Sequence, residues 1–200
     1  MKKMGLFLNI LIIVLELMGL IFSVYYLGKK VFIYYTQLSN LLLLTSSLFY
    51  LLHYYYKKFN KRIVSLVKYG ATLSVLITFL VVLFILLPTS SFNYKFLYLN
   101  GPNFLYHFLC PILGVITFLW YDDIEVDGFK DVFYSMIFTL IYAVVFLFLN
   151  IFKVVEGPYF FLLVRKNSIL TSVFWFAFIL GGAILFSWIL QRCKSLISKL

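Results

Sequence analysis

Apolar residues fall in six long runs separated by short polar stretches. The runs are Gly5 to Leu27, Ile33 to Tyr54, Val67 to Leu87, Asn103 to Tyr121, Val132 to Phe152 and Ile169 to Leu190. Each is about 20 residues long, enough for an α-helix to cross a hydrocarbon core of ~30 Å. Gly28-Lys29-Lys30 and Asn100-Gly101-Pro102 supply turns between runs, and Pro88 is expected to stop the third. The pattern predicts an all-α, polytopic integral membrane protein, a single domain of six transmembrane helices over residues 1–200. Lys2 and Lys3 resemble the start of a signal peptide. The run behind them is too long for one, carries Glu16 at its centre and lacks a small-x-small cleavage site, so a retained helix is expected.

Composition agrees: 64% hydrophobic and 12% charged residues lie far outside the soluble range. The formal charge of +10 does not point to nucleic acid, because the basic residues sit in short loops between runs. There they orient the protein and meet anionic lipid headgroups. Eleven of the 17 Lys and Arg residues, with Lys68 at the start of the third run included, fall on the side of the N-terminus. The positive-inside bias therefore predicts both termini in the cytoplasm. The heavy use of Lys, Phe, Tyr, Ile and Asn fits an AT-rich bacterial genome, and so a multi-pass protein of a bacterial cell membrane.

Two helix faces carry small residues at every fourth position, Gly70, Ser74 and Thr78 in the third run and Ala177 and Gly181 in the sixth. They are expected to let helix backbones approach closely. The acidic stretch Asp122 to Gly128 has no Glu where a calcium loop needs one, since counting from Asp123 puts Tyr134 there. It is expected to be a solvated turn. Cys110 and Cys193 are predicted near opposite membrane surfaces and form no metal or disulfide pattern. No metal or cofactor is expected.

The candidate chemistry lies where the second run begins, in Tyr34-Tyr35-Thr36-Gln37-Leu38-Ser39-Asn40. Helical spacing puts Thr36, Ser39 and Asn40 on one face, and hydrocarbon offers such groups no partner. At ~1.5 Å per residue Thr36 lies roughly 5 Å, and His107 about 6 Å, below the outer surface. Ser23, Cys110, Asn150, Thr171 and Ser172 fall in the same layer. His can act as base toward a hydroxyl, and Thr needs such a base to become a nucleophile. Gln37 and Asn40 could orient His107 or donate to a developing oxyanion. The bland counterpart is an interhelical hydrogen bond. His53, ~25 Å from Thr36 along the helix, is expected at the opposite interface. Asn9, Glu16 and Ser23 form a polar stripe on the first helix. Glu16 is expected to be protonated or bonded to Ser46, Ser47 or another buried polar group.

At these residues the chain resembles a family. Tyr35-Thr36-Gln37-Leu38-Ser39-Asn40-Leu41 is similar to the Phe/Tyr-Thr-x-x-Ser-Asn-Leu signature of small bacterial six-helix membrane proteins. Those are related to the androgen-induced and androgen-dependent membrane hydrolases of animals. His107-Phe108-Leu109-Cys110-Pro111 matches the second signature, a His followed shortly by Pro. Gly157-Pro158-Tyr159-Phe160 resembles a degenerate form of the family's aromatic-proline turn. The resemblance implies a threonine hydrolase of fatty-acyl esters, with Thr36 as nucleophile and His107 as base. Its partners would be membrane lipids and a lipid-like ester reaching Thr36 sideways from the outer leaflet, with Gln37, Ser39 and Asn40 orienting the site. The rival reading is a small transporter or channel-like protein whose polar path includes Asn9, Glu16, Asn40 and His107. A third is a membrane protein without chemistry.

Overall fold

The computed structural model describes residues 2–57 and 59–199, with side chains from Lys3 onward. Six long helices stand among the described residues, and no strand does. They are α1 (Lys2–Leu27), α2 (Tyr35–Tyr56), α3 (Lys61–Thr89), α4 (Leu105–Tyr121), α5 (Phe129–Ile151) and α6 (Ile169–Ile197). By length and composition α1, α3, α5 and α6 can each cross a membrane. At 22 residues α2 is long enough, but Thr36, Gln37, Ser39, Asn40, Thr45, Ser46 and Ser47 dilute its hydropathy. Those polar residues belong in the interior, and all but the half-buried Thr45 are buried.

The hub of the bundle is α3, which packs against α2, α4, α5 and α6. Of its most apolar stretch 56% is buried, against 11% for α6, which lies at the periphery. Gly70 explains one close approach: a Cβ there would lie 3.2 Å from the Ser135 carbonyl oxygen of α5. Gly19 explains another, since its Cβ would strike the Tyr106 ring of α4.

Two prolines widen the helix turns ahead of them. Pro88 and Pro111 have no N–H to give the carbonyl four residues back, so the turn ahead of each widens. The Leu87 amide donates to Val82 and the Cys110 amide to Leu105, both five residues back. Thus α3 ends at Thr89, one residue after the stop expected at Pro88, whereas α4 continues through Pro111. The widened turn of α4 contains His107.

At the end of the bundle where α1 begins and α6 ends, the expected solvated turn keeps Asp123, Glu125 and Asp127 exposed but is clamped at Asp122. Buried Asp122 accepts 2.7 Å from Asn9 Nδ2, and its second oxygen lies 3.6 Å from Lys68 Nζ. Lys68 donates 2.6 Å to Asn9 Oδ1 and 2.9 Å to Ser47, while Lys194 donates to the Leu119 and Asp122 carbonyls. Arg62 pairs with buried Asp131, and Lys61 with Asp123 and Glu125. The turn is held because α3 starts at Lys61, six residues before the expected run, which adds Lys61 and Arg62 to the Lys68 already within it. Lys68 and Lys194 are buried, so the topological bias rests on nine basic residues against six.

Candidate functional site

Thr36 lies in the first turn of α2, where Tyr34 caps the helix through its backbone only. First-turn amides have no partner within the helix. The Thr36 amide donates to the Tyr159 hydroxyl at 3.4 Å, and Thr36 Oγ1 lies 3.4 Å from the same oxygen. Two neighbours fix the turn through its carbonyl: Asn40 Nδ2 reaches Thr36 O at 2.7 Å and Ser39 Oγ at 3.0 Å. Ser39 also meets Thr78 of α3 at 2.9 Å, and Asn40 donates to the Tyr106 carbonyl of α4 at 3.2 Å. The Gln37 carbonyl oxygen and Asn40 Oδ1 are buried without a partner among the described residues.

His107 is buried one residue after Tyr106, and its Nδ1 lies 2.5 Å from the Leu97 carbonyl. A carbonyl can only accept, so Nδ1 carries the proton and Nε2 is left with its lone pair, the arrangement a base needs. Thr36 and His107 are not hydrogen-bonded to each other. Asn40 connects them indirectly, holding the Thr36 turn to the backbone beside His107.

On its other side Thr36 faces a cavity of about 60 Å³ among α2, α3, α5, α6 and the α5–α6 connection. Apolar side chains such as Ile77, Val81 and Trp175 line most of it. At the polar end Tyr35 bonds to Thr139 at 2.7 Å, and the Tyr142 hydroxyl donates to the Ile33 carbonyl at 2.8 Å. Burial raises the phenol pKa of Tyr159. It therefore stays protonated and serves as a donor, not as a base.

The layer predicted from depth is joined only in part. Ser23, Asn150 and Ser172 are buried without partners among the described residues, while Thr171 caps α6 with Ser168. Thr78, Thr139, Tyr142 and Tyr159 complete the site instead. Thr78 was visible only as part of a packing repeat, and Tyr159 only as part of the aromatic-proline turn. Thr139 and Tyr142 carried no sequence signal.

Glu16 is 1% exposed and neither carboxyl oxygen has a partner among the described residues. The serines expected to meet it are engaged elsewhere: Ser46 with the Leu43 carbonyl and Ser47 with Lys68. Its backbone carbonyl accepts from the Tyr106 hydroxyl at 3.0 Å, and the Cys110 thiol stands beside its carboxyl. His53 bonds to the Phe59 carbonyl at the far end of α2, and both cysteines are free thiols. No group of three or more His, Cys, Asp or Glu among the described residues could hold a metal ion.

Fold and site define an all-helical protein with helices long and apolar enough for a membrane, and a hydroxyl cluster at one end of its bundle. Compared with protein families, curated proteins and solved structures, the chain matches none.

Proposed function

We propose that this chain is a six-span bacterial membrane hydrolase with both termini cytoplasmic, cleaving a fatty-acyl or lipid-like ester near the outer leaflet. The observation that carries the reading is the position of Thr36. Its hydroxyl stands at the wall of an apolar cavity, beside a helix-N-terminal amide held only by one long hydrogen bond to a protonated phenol. An ester carbonyl seated there would meet two donors, the Thr36 N–H and the Tyr159 O–H, where negative charge develops.

In the reaction Thr36 Oγ bonds to the carbonyl carbon as its proton passes to His107 Nε2. The ester's C–O bond then breaks, and the leaving alkoxide takes that proton. Water repeats the sequence and frees the acid. Thr36 must turn from Tyr159 toward His107, a rotamer change that substrate displaces into being, since catalytic hydrogen bonds often close only in the complex. Ser39 and Asn40 position the turn. A tagged fluorophosphonate tests the assignment: labelling of the native protein and none of Thr36→Val is expected. Equal labelling of both would refute it.

Glu16 favours a second reading, a small proton-coupled transporter, because an unpartnered carboxyl inside a bundle is costly to keep. Proton flux into liposomes that disappears with Glu16→Gln would support that reading over the first.

A further inference from the structure

The face of α6 carrying Ala177 and Gly181 does not pack against another helix. A Cβ at Gly181 or Gly182 would meet nothing within 4 Å, in contrast to Gly70 on α3. These residues border an apolar groove of about 550 Å³ between α3 and α6. Ile77 and Val81 of α3 and Ile179 of α6 line both this groove and the Thr36 cavity, so the two meet along the α3–α6 seam.

Volume decides what the seam is for. Sites for small molecules hold roughly 300–1,000 Å³. The cavity at Thr36 is far too small alone, and the groove is within range. Direction agrees with volume. Along α3 the groove begins at Ile85, four residues or ~6 Å from the helix end near Thr36. On α6 it ends at Phe186, 17 residues or ~26 Å below Ile169. A ligand with its polar end at Thr36 would lie along the groove from the surface through the midplane, parallel to the lipid chains.

We propose that this groove is the binding site for the long acyl chain of the ester, and that the α3–α6 seam is the port through which the carbonyl reaches Thr36. The assignment rests on the hydrolase reading for its polar end. A second copy of the chain is the competing occupant. Helices that associate through small residues need close backbones. Phe84, Phe178 and Leu185, which are 68%, 56% and 52% exposed, line the same groove and hold another backbone away from the glycines.

The test uses an alkyne-tagged long-chain ester with a diazirine near the end of its chain, photolysed with the full protein in liposomes. Labelled peptides are expected from residues 80–86 and 177–186, competed by untagged ester. Thr36→Val should label like the native protein. Gly181→Leu and Gly182→Leu fill the groove with good helix formers, so labelling should fall about tenfold while the proteins remain monodisperse. Labelling spread evenly over all lipid-facing helices, or unchanged by either Leu variant, would overturn the groove. So would an α6–α6 crosslink between copies that either Leu variant abolishes. Hydrolysis without groove labelling would discard the groove and keep the hydrolase. Labelling without hydrolysis would do the reverse.

Discussion

The two ends of this bundle are built on opposite terms. Around Lys68 and Asp122, charged groups are buried and nearly every donor meets an acceptor. Around Thr36 the groups are neutral, the central contact is long at 3.4 Å, and a cavity lies beside it. Buried paired charge resists rearrangement, since losing one partner strands the other, even though Asp122 Oδ2 meets Lys68 only at 3.6 Å. Loosely engaged hydroxyls next to open volume can change partners at little cost. One end is constructed to stay shut, and the other to accept something.

Substitutions should separate these roles. The largest effect belongs to the clamp. Lys68→Ala leaves Asp122 buried and unpaired, and should destabilise the bundle by about 3–5 kcal/mol. Thermal unfolding in detergent reads this, and a melting temperature equal to the native one would refute the clamp. Next is Tyr159→Phe, which removes one proposed oxyanion donor and little packing. Ester turnover should drop about 10²-fold, with stability lowered by about 1 kcal/mol because the Thr36 amide loses its acceptor. Unchanged turnover would remove Tyr159 from the site. The smallest effect is expected for Glu16→Gln, because a protonated carboxyl and an amide share shape and each can both donate and accept. Turnover and melting should both remain close to native. A well-folded Glu16→Gln protein that no longer hydrolyses ester would place Glu16 in the chemistry.

Much of the site end was readable from spacing. Thr36, Ser39 and Asn40 share a helix face by the period of 3.6, and the structure uses both partners to hold the Thr36 carbonyl. Tyr159 was readable only as part of a turn, because a residue 123 positions away reaches Thr36 through tertiary packing. The clamp was misread for a related reason. Asp122 looks solvated in a polar stretch, and nothing local says that Asn9, Lys68 and Lys194 converge on it. The Gly181 face illustrates a third limit. A small residue shows that something can come close, but not whether that something is a helix.

The central claim is that Thr36 and His107 act as a unit, and the most direct test is ester hydrolysis per folded, monodisperse protein for Thr36→Val, His107→Ala and the double variant. The account predicts that each single variant loses most turnover and the double loses little more, because groups serving one step are strongly non-additive. Losses that multiply in the double variant, or a folded Thr36→Val protein with native activity, would contradict it.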